Sequence, residues 1–390
     1  MPYSSECFTL GVGVDKGREQ CLGAGSRQRR TFSVDDVIAW TRENVSVPRR
    51  RTVVQLSVAA LLIAASQLTV TTPSLAAKVK SIDVKTIIAD DYAVNNTDNT
   101  NLSYALQASH EEGSALVMDD AAFRAAKLSG FKTLQGSRYY PYYGTVTESS
   151  VPAQSSYPER FVAIMKQSSS PGTPSADRVC PGGGNILVEQ KNSSSSPWRV
   201  SLEPVMARLS SVPAFLTSSS GHGHFASGGS HALKISTLPT TVVVALNAQA
   251  RTGDGGSLLP ASVFAYGHCG TIGLEDPHRD VGIYHGLVLS FSASTITPSD
   301  VSAYETKDGG ALALFTVREV VSEKPAAANE YVIWSHGATS WWSVLPAGHY
   351  STVSWTIDQE LAVYVPSATS SAKARIVGGY VGVVAVTGTP

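Results

Sequence analysis

Charge is scarce in this 390-residue chain: Asp, Glu, Lys and Arg make up 16% of it, and the formal net charge is −1. A balance so near zero leaves no basic footprint for a phosphate backbone, which argues against nucleic acid as a partner. Cysteine is scarcer still. Of four, Cys7 and Cys21 lie in the opening stretch, and only Cys180 and Cys269 lie in the body of the chain. The short signatures of catalysis are missing as well: there is no G-x-S-x-G elbow, no H-E-x-x-H, no P-loop and no dinucleotide glycine fingerprint. No catalytic residue and no cofactor is therefore expected.

What is present begins with a leader-like order set well inside the chain. Arg49, Arg50 and Arg51 precede an apolar stretch, Val53 to Ala65, broken only by Gln55 and Ser57, and a polar segment then ends in Ser74-Leu75-Ala76-Ala77. A basic end, a greasy core and small residues at a cut are the parts of a secretory signal, with cleavage after Ala76. The greasy core is about a dozen residues, whereas a membrane span needs roughly twenty. Leu68 to Val70 lengthen the apolar run, so an uncleaved anchor over residues 53–70 is the alternative. Valine codons serve as bacterial starts, and Val47 stands just before the arginines. Residues 47–76 are therefore read as the signal peptide and residues 1–46 as a mis-annotated or disordered extension.

Export has a consequence for the thiols. Outside the cytosol a lone pair of cysteines most often ends as a disulfide. A Cys180–Cys269 bridge would close a long loop and contribute about 3–5 kcal/mol in the chain-entropy view.

Along the body of the chain, residues 81–130 carry helical spacing in Ile82, Val84, Ile87, Ile88 and Tyr92, then, after an Asn/Thr-rich interruption, in Leu102 and Leu106. Asp119-Asp120 reads as the cap and first-turn acid of a further short helix, Ala121 to Leu128. After Gly130 the texture turns to strands over Arg138–Thr147, Arg160–Lys166, Asn185–Lys191 and Trp198–Ala207, separated by Ser, Gly and Pro. Helices followed by an antiparallel sheet give an α+β class. The second half also runs from short segments into strands: Leu258–Phe264 and Val281–Phe291 lead into Ala303–Lys307, an Asp308-Gly309-Gly310 turn, Ala311–Val321, Tyr331–Trp334, Trp341–Leu345, Tyr350–Ile357, Leu361–Val365 and Ala374–Val386. Residues 77–209 and 236–390 are expected to be two α+β domains, joined by a Ser/Gly/His-rich linker over 210–235. In that linker, His222, His224 and His231 are weak metal candidates, because glycines between them leave nothing to orient the ligands. Trp334, Trp341, Trp342 and Trp355 suit sheet packing before a carbohydrate platform.

The stretches Ala93 to Asp98, Glu112 to Leu116, Tyr157 to Phe161, Pro197 to Val200, Lys307 to Leu312 with Phe315, Tyr364 to Pro366 and Ile376 to Gly388 follow one another in order. Through them the chain resembles a family of actinobacterial secreted proteins and lipoproteins of unknown function, thought to contain NTF2-like, cone-shaped α+β domains. The resemblance implies an exported protein of two tandem NTF2-like domains and supplies no activity. Three functions stay open: a non-catalytic binding or interaction module for an envelope or extracellular ligand, a hydrolase or isomerase using an NTF2-like pocket, and a purely structural envelope protein.

Overall fold

The computed structural model describes residues 82–134, 141–168, 183–206, 208–226, 231, 233–264, 274, 276–278, 281–284, 286–296, 301–334 and 344–390. Its first helix, α1 (Val84–Asn101), is started by Asp83, whose carboxylate accepts from the Thr86 backbone N–H at 3.3 Å and the Thr86 hydroxyl at 2.7 Å. Val84, Ile88 and Tyr92 recur every fourth residue and form its buried face. The Asn/Thr-rich stretch continues this helix where the sequence suggested an interruption. Thr97, Thr100 and Asn101 donate back to the carbonyls of Ala93, Asn96 and Thr97, so their polar groups follow the helix rather than compete with it. Leu102 ends α1 in the left-handed region, at φ 52°, and Ser103 caps α2 (Tyr104–His110). The next helix, α3 (Gly113–Leu128), starts well before Asp119, so Asp119 and Asp120 lie in its middle and not at its cap.

Strands then follow: β1 (Tyr143–Ser150), β2 (Glu159–Ser168), β3 (Gly184–Lys191), β4 (Arg199–Leu202) and β5 (Val205–Met206). A fourth helix, α4 (Leu238–Thr252), has Pro239 in its first turn and Gly253 at φ 71° as its left-handed cap. The remaining strands are β6 (Gly282–Tyr284), β7 (Leu287–Thr295), β8 (Ser302–Glu305), β9 (Ala311–Pro325), β10 (Val332–Trp334), β11 (Gly348–Tyr350), β12 (Thr352–Val365) and β13 (Arg375–Thr389). Among the described residues, eleven strands join in one antiparallel sheet of order β1-β2-β3-β5-β13-β12-β9-β7-β6, with β4 on β3 and β8 on β9; β10 and β11 pair separately. The Asp308-Gly309-Gly310 turn sets the β8–β9 register, Glu305 opposite Ala311, as the sequence suggested.

That order places strands from both halves of the chain in the same sheet. The two-residue β5 is the joint: Val205 and Met206 pair with Asn185 and Gly184 of β3 on one side and with Gly379 and Gly378 of β13 on the other. One apolar cluster gathers Ile164 and Ile186 with Leu312, Leu314 and Tyr364, so the halves share a core. Residues 210–235, expected to be a linker, lie partly against this sheet. Phe215 is buried and bridges Thr306, Phe225 bridges Tyr304, and both rings pack beside the Tyr304 ring at 6.2 Å and 5.4 Å. Aromatic burial on β8 is the physical reason this Ser/Gly-rich stretch is held. All the described residues belong to one compact unit. The two-domain division expected from the sequence therefore meets a continuous sheet and a shared core.

The helices α1 to α3 cover β2, β3 and β4 through Val84, Ile88, Tyr92, Phe161, Met165 and Leu187. Helix α4 covers β9 and β12 through Leu238, Val242, Leu246, Phe315, Val317 and Leu361. Among the described residues no helix is long and apolar enough to cross a membrane. The expected signal segment, Cys180, Cys269, Trp341 and Trp342 lie outside the described residues.

Gly184 is a sharp test of the β2–β3–β5 joint. A Cβ there would stand 1.9 Å from the Met165 carbonyl oxygen, a backbone atom with no rotamer to yield. Gly184→Ala is expected to lower stability by about 1–3 kcal/mol in denaturant unfolding; an unchanged midpoint would disprove the close strand approach.

Candidate functional site

Beneath α1 to α3 the interior turns from apolar to acidic. Two aspartates on α1 point at His110, the last residue of α2: its Nδ1 lies 2.7 Å from Asp91 Oδ1 and its Nε2 2.7 Å from Asp98 Oδ2. Burial works against the imidazolium, but the hydrogen bonds and charges of Asp91 and Asp98 win and raise His110 to about 10. His110 is thus a cation at neutral pH, with both ring nitrogens occupied. Burial also raises both aspartates, against the pull of that cation.

Glu111 follows at once and is turned inward by its neighbours. Its backbone bridges Val200 of β4, and the Glu112 N–H donates to the Val200 carbonyl at 2.8 Å. Gly113 then takes φ +63°, a left-handed conformation that favours glycine, and a Cβ there would stand a tight 3.3 Å from the Ser201 carbonyl oxygen. The Glu111 carboxyl accepts from Gln107 Nε2 at 3.1 Å. Burial, with the charges of Asp119 and Glu203, holds Glu111 well above the ordinary carboxylate range. Burial and the charge of Asp98 push the half-buried Asp119 to about 7.

The sheet supplies the floor. Glu189 of β3 is buried among the fields of Asp91, His110 and Glu203, and burial raises it strongly. Glu203, just after β4, accepts from the Asn185 amide and is raised to about 8 by burial and by Asp119 and Asp91. From the centre of the sheet, Glu360 of β12 accepts from Ser114 Oγ at 2.7 Å and from the Glu203 backbone N–H at 2.6 Å; burial still raises it to about 8. Thr316 of β9 completes this chain by donating to Ser114 at 2.8 Å.

Seven carboxyls with raised values thus gather in this interior, and two of them bond its one imidazolium. The interior is also short of donors. Asn99 Oδ1, Gln107 Oε1, Glu112 Oε1, Asn185 Oδ1 and Glu189 Oε1 are buried oxygens with no hydrogen-bond partner among the described residues.

The sequence reading gave Asp119 a capping role and passed over His110. The usable signals were the spacing of Asp91, Asn95 and Asp98 on one helix and the polar triplet Asp358-Gln359-Glu360 inside a strand. The histidines weighed as metal ligands stand apart from this cluster. His222 is half-buried, His224 is exposed with its carbonyl accepting from Glu305 N–H at 3.0 Å, and His231 is buried with its backbone bridging Ser367. Among the described residues no three His, Cys, Asp or Glu side chains form a metal-holding group. The pairing of Cys180 with Cys269 falls outside the described residues.

The raised carboxyls give stability a definite pH slope. Asp119, Glu203 and Glu360 sit at about 7, 8 and 8 in the folded protein, against ordinary values of 3.8, 4.5 and 4.5. Below the ordinary values both states hold these protons; as pH rises towards 8 only the folded state does, so stability falls across that window. His110 acts in the same direction: its contribution is complete below 6.5 and is lost as pH climbs to about 10. Melting temperature is expected to peak near pH 5 and to drop on the order of 10 °C by pH 8. Glu360→Gln should flatten part of that slope in scanning calorimetry, and a profile that rises with pH would show the carboxyls ionised in the fold.

A family model described as a domain of unknown function, DUF8094, matches residues 85–388, which takes in every cluster residue above and all the helices and strands but for Val84 and Thr389 at their ends. No curated protein and no solved structure matches the chain. With most of its length under that match, the chain belongs to the DUF8094 family.

Proposed function

We propose that the protein is an exported, non-catalytic binding module of the cell envelope and that the acidic interior under α1 to α3 is where its ligand is held. The observation that carries this reading is the set of buried oxygens left without donors, from Asn99 on α1 to Asn185 and Glu189 on β3. Buried acceptors cost free energy unless something donates to them, and a bound molecule is one source of donors. His110 supports binding over acid–base catalysis, because both of its nitrogens are committed to aspartates. The Glu111–Asp119 carboxyl pair is the observation a hydrolytic reading rests on, yet Glu111 is only 3% exposed and offers little approach for a substrate water. Export rests on the basic, apolar and small-residue order of residues 49–77. The finer likeness, to actinobacterial secreted proteins with NTF2-like domains, is supported by helices laid over an antiparallel sheet.

Protein recovered from the medium of producing cells should begin at Ala77, and its native mass spectrum should carry a non-covalent adduct that denaturation removes. Intact chain in the membrane fraction would replace export by anchoring. A bare chain mass from every preparation would defeat the binding reading.

A further inference from the structure

The ligand class follows from which atoms are left over, and this step rests on the binding reading above. Gln107 and Asn185 each spend their amide N–H on a carboxylate of the cluster, Glu111 and Glu203 respectively. Their amide oxygens are therefore fixed inside it, and both are buried, at 0% and 2% exposure, without a partner. Glu189 adds a carboxylate oxygen in the same state at 1% exposure. The two amide oxygens can only accept, and the carboxyls around them, kept protonated by burial in the unliganded protein, become acceptors once they give up their protons. The nearby Arg199 cannot supply the missing donors: its guanidinium is one-third exposed, its Nη1 lies 3.9 Å from Glu112 on the outer side, and its Nε has no acceptor.

We propose that Glu111, Asp119, Glu189 and Glu203, with the amide oxygens of Gln107 and Asn185, receive a compact organic cation rich in N–H donors, a primary ammonium or a guanidinium group. Such a cation is recognised twice, by hydrogen bonds to the amide oxygens and by the negative charge the carboxyls take on as they release protons to it. A hard metal ion shares the charge preference but requires oxygens converging to about 2.4 Å from one point. The described side chains form no such group. An N–H donor is satisfied at about 2.9 Å and can serve acceptors that stand apart.

The test uses the exported chain, residues 77–390, with putrescine as the probe, 1,4-butanediol as its uncharged counterpart and calcium chloride as the metal arm, all at physiological salt to screen surface binding. Putrescine should raise the melting temperature by a few degrees at millimolar concentration, and butanediol should not. Glu189→Gln removes a carboxyl that can ionise and keeps the shape; it should melt no lower than the parent and weaken putrescine at least about tenfold in calorimetry. Should that variant fail to fold, Asn185→Leu carries the same comparison. The inference falls if putrescine leaves the melting temperature unmoved, if butanediol matches it, if the variant binds as well as the parent, or if calcium alone stabilises the protein and displaces the amine. A native adduct that proves to be no amine would leave the binding reading standing and end this one.

Discussion

Glu360 is fully withdrawn from solvent, yet each of its oxygens is held from a different part of the chain. Ser114 at the start of α3 donates to one, and the backbone N–H of Glu203, at the end of the β4 hairpin, donates to the other. The contact joins residues separated by 246 and 157 positions, so it fixes the helical layer, the first strands and the centre of the sheet in one act. A carboxyl so buried is destabilising on its own and becomes tolerable only when its lone pairs are filled. The rest of the interior obeys the same constraint. Asn185 serves Glu203, Gln107 serves Glu111, and His110 serves two aspartates.

Where those partners run out, protonation does what donors cannot. Burial keeps protons on Glu111 and Asp119 to higher pH, which removes negative charge without moving an atom. The raised values of Glu203 and Glu360 remove more near neutrality. The helical layer is thus held partly by packing and partly by protons, and the two respond differently to conditions. Packing of Val84, Ile88 and Tyr92 on Phe161 and Leu187 is indifferent to pH, whereas the acidic floor is not.

The sheet was legible in the sequence because its strands alternate or run apolar between turn residues: β2, β3, β9 and β13 fall close to where that pattern puts them. Two kinds of residue misled. Polar residues with local partners imitate a loop, and so the Asn/Thr end of α1 read as a break although its side chains bond back along the helix. Polar residues with distant partners do the same in a strand. Asp358, Gln359 and Glu360 split one continuous β12 into two runs on paper, while in the fold Arg318 grips Asp358 through two contacts of 2.7 Å and Ser114 grips Glu360. Helix α4 was passed over for the opposite reason: its Thr and Val content favours a strand, and only the four-residue spacing of Leu238, Val242, Leu246 and Ala250 gives it away. The site was the least legible part, because an acid cluster is assembled from α1, α2, α3, β3 and β12, and no window of sequence contains it.

The same dispersal bears on why the halves of the chain share one core. Had the first strands and β12 belonged to separate cores, Glu360 and Glu203 would each have kept water as a partner, and neither would be raised near neutrality. Closing the sheet through the short β5 brings Glu203 beside Glu360 and removes that water from both. The joint tolerates no bulk: a Cβ on Gly378 would stand 2.9 Å from the Val205 carbonyl oxygen, and one on Gly184 closer still to Met165. Small residues at the joint and acids beneath the helices are therefore two sides of one arrangement, in which close approach of strands is what desolvates the carboxyls. A protein that needed only a stable sheet would place apolar residues at 189, 203 and 360, since these are usually as stabilising as a well-paired buried ion and carry no pH penalty. Keeping acids there, with acceptors to spare, is what the proposed binding role would require, stability given up in the unliganded state for selectivity when filled.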